Sequence, residues 1–350
     1  MKKWCIKVVS LWFLLVVLWG ATVYVVDPFF HFHAPFDGIY YDLSNSGFKN
    51  DGMAKNFKYN AIITGTSTSQ KYSVTEADNL LGKDFILLSY PGEGFYRISE
   101  GIRTALDSGN DMDLVLWSLD PMWFISDDTY EGHADEGYPE YLYNDNVFDD
   151  FTYLYNMDLM VKEVIPVIDK TLKRKAPVSF YTNENDLSDV EMKYERGQRE
   201  NIKVDENENQ AYLDCVAGNI ERNLIELIKE YPDTEFYFVI APYNIAWWDS
   251  LNQISGDVLE RRLELERYVV STLIEYENVR VFSFNNDYNL VCDTTSYIDS
   301  VHPNGRIPSY ILQAISRGDN QITKDNCEEY FSKEWEFYTS FDYNSVFENY

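Results

Sequence analysis

Apolar residues fall along this chain in two different ways. From Val8 to Val26 they form one uncharged run, VVSLWFLLVVLWGATVYVV, long enough at about 1.5 Å per residue to cross a hydrocarbon layer. Beyond Lys58 they come in short bursts: NAIITG (60–65), DFILLSY (84–90), DLVLWSLD (113–120), EFYFVIAP (235–242) and NVRVFSF (278–284). These bursts are rich in β-branched and aromatic residues and largely fail to alternate, as expected of strands buried on both faces of a parallel sheet. Between them lie amphipathic stretches at 94–108, 210–230 and 257–276. In the second, Val216, Ile220, Leu224 and Ile228 recur at every fourth position and make one apolar stripe. Strand and helix in alternation predict an α/β fold, a three-layer α/β/α sandwich around a parallel, flavodoxin-like sheet.

The alternation fails at about 125–208, where an acidic aromatic stretch precedes a helix near 157–172. This region reads as an insertion above the sheet, placed to close over the strand ends as a lid. The expected divisions are a cytoplasmic N-terminus and transmembrane signal anchor at 1–26, a juxtamembrane segment at 27–56, a principal domain at 57–318 and an acidic aromatic tail at 319–350. Lys2, Lys3 and Lys7 stand before the apolar run, so the positive-inside rule puts the N-terminus in the cytoplasm and everything after Asp27 outside. The run lacks a clean small-residue cleavage site, which favours an uncleaved anchor over a signal peptide. The aromatic, turn-rich DPFFHFHAPFDGIYYD that follows suits a membrane interface.

Charge narrows the partners. The chain has 58 acidic against 29 basic residues, a formal net of −29. That argues against nucleic acid, whose affinity rests on Lys and Arg neutralising phosphates. It argues equally against a polybasic grip on anionic lipid. Four cysteines, Cys5 at the membrane edge and Cys215, Cys292 and Cys327 beyond it, form no C-x-x-C pattern and no disulfide framework. His31 and His33 make an H-x-H pair with no Cys or carboxylate pattern in support, so neither a metal nor a cofactor is expected.

The candidate chemistry lies at the ends of the predicted strands, where open parallel sheets bind ligands. The first end runs into Gly65 and four hydroxyls, Thr66, Ser67, Thr68 and Ser69. Ser and Thr are favoured N-cap residues, so a structural role competes with a nucleophilic one there. The second end, SYPGEGFY, places Gly92 and Gly94 where the backbone is free to approach a ligand closely. Late in the chain, TTSYIDSVHPNGRI sets Asp299 and His302 three residues apart, before a predicted final helix. A serine hydroxyl is a weak nucleophile until a base takes its proton, and a His oriented by a carboxylate is suited to do so. Trp247 and Trp248 follow the fourth strand, where an aromatic pair forms either core or a stacking platform for a sugar ring.

Taken together, these blocks resemble the SGNH/GDSL hydrolase superfamily. Gly65-Thr66-Ser67 is similar to its G-D-S block with Thr66 in the middle, and Asp299-Ser300-Val301-His302 matches its D-x-x-H block. The resemblance implies a catalytic Ser67, His302 and Asp299, with oxyanion donors from the backbone of Ser67 and Gly92. The third block departs from the pattern: SLDP puts Asp120 where the oxyanion-hole Asn is expected, and an ionised Asp cannot donate. An α/β-hydrolase elbow is the nearest rival, but Ser69 stands where G-x-S-x-G requires its second Gly.

With one N-terminal anchor, the chain resembles membrane-anchored members of Gram-positive cell envelopes, such as the D-alanyl transfer protein and alginate-type O-acetyltransferases. That implies a serine acyltransferase acting on an envelope glycan or teichoic-acid-like acceptor, beside a multi-span acyltransferase. An extracytoplasmic carbohydrate esterase and a non-catalytic glycan-binding scaffold are the alternatives.

Overall fold

The computed structural model describes residues 2–43, 47–132, 140–142, 144, 146–174 and 187–347. The chain divides into two compact units: Met1–Lys58 with Ala134–Phe180, and Tyr59–His133 with Tyr181–Tyr350. The stretch expected as a single insertion at about 125–208 is therefore shared between them.

The larger unit is built on a six-stranded sheet, flanked by helices, in the order β2-β1-β3-β4-β5-β6. Its strands are β1 (Ala61–Gly65), β2 (Phe85–Ser89), β3 (Leu114–Leu119), β4 (Glu235–Ile240), β5 (Val279–Ser283) and β6 (Gln321–Ile322). Every residue of β1, β2 and β3 is buried, which accounts for their unbroken apolar sequence. The first five strands pair in parallel. β6 corrects the expectation of an all-parallel sheet, because it pairs antiparallel with β5 at the edge. Gly318 (φ 74°) and Asn320 (φ 60°) both take left-handed backbone angles before it and turn the chain sharply onto that edge.

The amphipathic stretches are helices. Phe95–Leu106 and Gly256–Leu273 match their predicted spans closely. Glu206–Ile220 continues through a π-turn, Glu221–Ile225, into Glu226–Glu230, and buries Val216, Ile220, Leu224 and Ile228. Arg306–Arg317 follows the Asp299–His302 block, and Cys327–Ser340 packs against Gly256–Leu273 before a last short helix, Tyr343–Phe347. The sheet order sets where a site can form. β2 and β3 lie on opposite sides of β1, so the connections leaving β1 and β2 diverge and open a crevice at the carboxyl ends of β1 and β3.

The smaller unit contains the helix Lys2–Val26, whose length and composition suffice to cross a membrane. Its last turns are not bare: Val23 and Val26 share a core with Leu142, Tyr153, Leu159 and Val164. Asp27 ends the helix in a left-handed conformation (φ 37°) and is fully buried. Its carboxylate accepts from the backbone N–H groups of His31, Phe32 and His33 and from the Tyr153 hydroxyl, which fixes the chain's exit from the helix. His31 of the H-x-H pair lies 2.8 Å from Asp150, while the His33 ring contacts the carbonyls of Tyr24 and Ala34.

Candidate active site

The turn after β1 sorts the four hydroxyls. Gly65 has φ 147°, and a Cβ there would come within 2.7 Å of the Ser118 carbonyl on β3. Glycine is thus required for the chain to leave the sheet at this point. The short 3-10 turn Ser67–Lys71 follows, with Thr66 at its N-cap position but no side chain capping it. Thr66, Thr68 and Ser69 are buried, and Ser67 alone of the four is not. Ser69 Oγ donates to the Thr66 carbonyl at 2.7 Å and packs against Ser89 Oγ at 3.1 Å. It is a structural hydroxyl.

Ser67 Oγ lies 2.8 Å from His302 Nε2. On the other side of the ring, His302 Nδ1 lies 2.8 Å and 3.0 Å from the two Asp299 oxygens. Asp299 Oδ1 also accepts from the backbone N–H groups of Val301 and His302, each at 2.8 Å. Burial opposes ionisation of Asp299, but these donors outweigh it and hold its pKa down at about 2. An ionised Asp299 only accepts, so the imidazole proton belongs on Nδ1, and Nε2 is left to accept from the Ser67 hydroxyl. The Asp299 hydrogen bond raises the His302 pKa above its ordinary value, burial works against it, and the charges of Asp299 and Asp120 add to the rise.

A segment that sequence reading placed in the insertion holds this block in register. Lys193 bridges Asp299 in parallel, Val190 N donates to the Thr295 carbonyl at 2.9 Å, and Lys193 N to the Ile298 carbonyl at 2.9 Å. Arg196, three residues on, clamps the buried Asp249 with both arms of its guanidinium, at 2.8 Å and 2.9 Å. Nothing in the local sequence of 187–196 signals this role, because its partners lie between 53 and 148 residues away along the chain.

Asp120, at the end of β3, is buried with both oxygens engaged. One accepts from the Thr66 hydroxyl and, at 3.4 Å, from Thr68; the other accepts from the Tyr243 hydroxyl beyond β4. Burial raises the Asp120 pKa, and the hydrogen bonds from Thr66 and Tyr243 oppose the rise. The carboxylate thus sits beneath the serine turn and ties β1, β3 and β4 together. Tyr243 is a site residue that sequence reading missed; its only signal was its position at a strand end.

The remaining candidates separate. Tyr90 N donates to the Gly65 carbonyl at 2.8 Å, so the loop carrying Gly92 leaves the sheet beside the serine turn. Gly92 is exposed, with φ 77°. Trp248 is not a platform: it is 1% exposed and stacks on Tyr338 with ring centroids 4.0 Å apart, so neither face is open to a sugar. Trp247 is half-buried, edge-on to Tyr243, with the Arg262 guanidinium 5.3 Å from its ring centroid.

No family model matches the chain, and no curated protein matches it. Two solved structures are similar in fold. One, provisionally a platelet activating factor from Streptococcus pneumonia, is 12% identical with a TM-score of 0.36, over 81% of this chain and 89% of that one. The other is a carbohydrate esterase family 2 enzyme with a carbohydrate binding domain from Corynascus thermopiles (Myceliophthora fergusii). It is 11% identical with a TM-score of 0.33, over 74% of this chain and 64% of that one. Both are distant likenesses of the backbone.

Proposed function

We propose that the chain is a membrane-anchored serine acyltransferase of the SGNH type, acting through an acyl-Ser67 intermediate on a hydroxyl of a cell-envelope glycan. The observation that carries this reading is the continuous relay from Ser67 Oγ through the His302 ring to Asp299, with both links at 2.8 Å. In the proposed reaction His302 Nε2 takes the Ser67 proton as Oγ attacks the acyl carbon. The same nitrogen returns the proton to the departing alcohol. An acceptor hydroxyl then gives its proton to His302 and takes the acyl group, which restores Ser67. The backbone N–H groups of Ser67 and Gly92 are the proposed donors to the oxyanion.

Asp120 takes a different role in this reading from the Asn it replaces. Two of the positions where the chain departs from the superfamily blocks, Thr66 and Asp120, are hydrogen-bonded to each other. We assign Asp120 to holding the serine turn, not to donating to the oxyanion. The helix Lys2–Val26 supports transfer over hydrolysis, because as an anchor it would keep the site beside a membrane-borne acyl donor. A multi-span acyltransferase is the partner that would load such a donor.

A serine-directed fluorophosphonate tests the chemistry. It is expected to label Ser67, and Ser67→Ala to lose labelling and about 10⁶ in turnover, with Asp299→Asn costing about 10⁴. A wild-type chain inert to such probes would favour a non-catalytic scaffold. With an acetyl ester as donor, a hydroxylated glycan is expected to speed acyl release and to retain the acyl group. Fast hydrolysis with no acceptor ever acylated would make the protein an esterase.

A further inference from the structure

The chain as a whole is strongly acidic, yet one cavity collects ammonium groups. It encloses about 350 Å³, and its described lining residues all belong to the smaller unit. Lys49, Lys162 and Lys170 line it with Asp42 and Glu163, and Lys162 is paired with Asp158 at 3.3 Å, so Lys49 and Lys170 are the cations it has to offer, in a chain of net −29. Lys49 Nζ donates to the Asp42 carbonyl at 2.8 Å; Lys170 Nζ lies 3.7 Å from the Asp42 carboxylate and 5.2 Å from the centre of the Tyr40 ring. Two ammonium groups thus converge on one wall. Burial lowers the Lys49 pKa against the pull of Glu163 and Asp42, so an added anion there would be favourable.

The cavity's place points to the source of that anion. Pro28 and Phe29, just past the end of the apolar helix at Val26, form part of its wall. The helical stretch from Met157 to Arg174 supplies Lys162 and Lys170 to the cavity. The same stretch leaves Met157, Val161, Ile165 and Leu172 exposed at 61%, 53%, 51% and 78%. Their spacing of four, four and seven puts them on one face. An amphipathic helix with an open apolar face beside a membrane span lies in the interface, with that face in the acyl boundary.

We propose that this cavity binds the phosphate of an anionic membrane lipid, which seats the smaller unit against the bilayer. The inference rests on reading Lys2–Val26 as a span, and goes beyond the acyl chemistry assigned to the larger unit. It is compatible with the chain's overall charge, because a pocket needs only two converging ammonium groups, whereas adsorption to a lipid surface needs a basic face.

Native mass spectrometry of the full chain, released from micelles holding equal phosphatidylglycerol and phosphatidylcholine, tests it. The wild type is expected to retain one phosphatidylglycerol. Lys49→Gln with Lys170→Gln should lose about tenfold or more of that retention, while Lys229→Gln in the larger unit should not change it. If the double variant fails to fold by circular dichroism, Lys170→Gln alone is scored in the same way. Equal retention of the two lipids, or unchanged retention in the folded variants, would overturn the site. Glycerol phosphate binding as tightly as the lipid would show a soluble ligand and overturn the lipid assignment. Extraction of the chain from membranes by alkaline carbonate would refute the span itself, whatever the fate of the Ser67 chemistry.

Discussion

His302 is held between a carboxylate and a hydroxyl, and both neighbours act on its proton. Catalysis by the proposed route needs the neutral ring, and the Asp299 hydrogen bond stabilises the charged one. The acid limb of a pH–rate profile is therefore expected above the ordinary imidazole value of about 6.5, with activity falling as pH drops through it. A flat profile between about pH 5 and 8 would exclude His302 as the base. The stability contributed by Asp299 runs the other way. Its pKa is depressed, so that contribution is present above about 4 and disappears as pH falls towards about 2. Asp120 separates the two roles open to its position. If it holds the serine turn, Asp120→Asn should cost about 1.5–3 kcal/mol in denaturant unfolding and shift the acid limb downward, since one negative charge acting on His302 is removed. A rate increase with no loss of stability would show instead that the position faces the oxyanion.

At the scale of elements, three loops and one extended segment meet at the carboxyl edge of the sheet. The serine turn is fixed to β3 through Thr66 and Asp120, and Asp120 is fixed to the β4 loop through Tyr243. The Asp299–His302 block is backed by 187–193, and that segment is anchored by Arg196 on Asp249. Breaking a buried ion pair by removing one partner is costly, so Arg196→Ala is expected to lose about 3 kcal/mol of stability. If the segment also positions His302, fluorophosphonate labelling of Ser67 should slow under conditions where the variant remains folded. Unchanged labelling would confine Arg196 to stability alone.

The larger unit carries a buried acid pair outside the Ser67–His302–Asp299 relay. Glu266 on Gly256–Leu273 and Glu334 on Cys327–Ser340 are both fully buried; Asn285 donates to Glu266 at 2.8 Å, and Arg262 lies one turn before it. Burial pushes Glu266 up to about 7, and burial together with the charge of Glu266 pushes Glu334 well above the carboxylate range. At neutral pH the pair holds a proton that the unfolded chain would release. Its contribution is complete below about 4 and is lost as pH rises through about 7 and beyond. The melting temperature should accordingly fall as pH rises from about 6 to 9, and Glu334→Gln should flatten that fall. An equally steep decline in the variant would place the alkaline sensitivity elsewhere.

Features set by neighbouring residues were legible in the sequence. Largely apolar bursts marked β1 to β5, most plainly β1 to β3, where strands covered on both faces need no polar side, and a four-residue period marked the helix over 210–230. Asp299 and His302 could be paired because a three-residue spacing brings them together within one turn. What joins distant residues came only with the tertiary structure. Ser67 meets His302 across 235 positions and Tyr243 meets Asp120 across 123, and the order in which crossovers stack the strands decides both. Which of four adjacent hydroxyls stays open was equally a tertiary matter, since burial of Thr66, Thr68 and Ser69 depends on β3 lying beside their turn. Trp248 became core for the same reason: Tyr338, ninety residues away, closes over it. The division of 125–208 between two units also lay beyond local pattern, because an amphipathic helix reveals that it has an apolar face but not what will cover it.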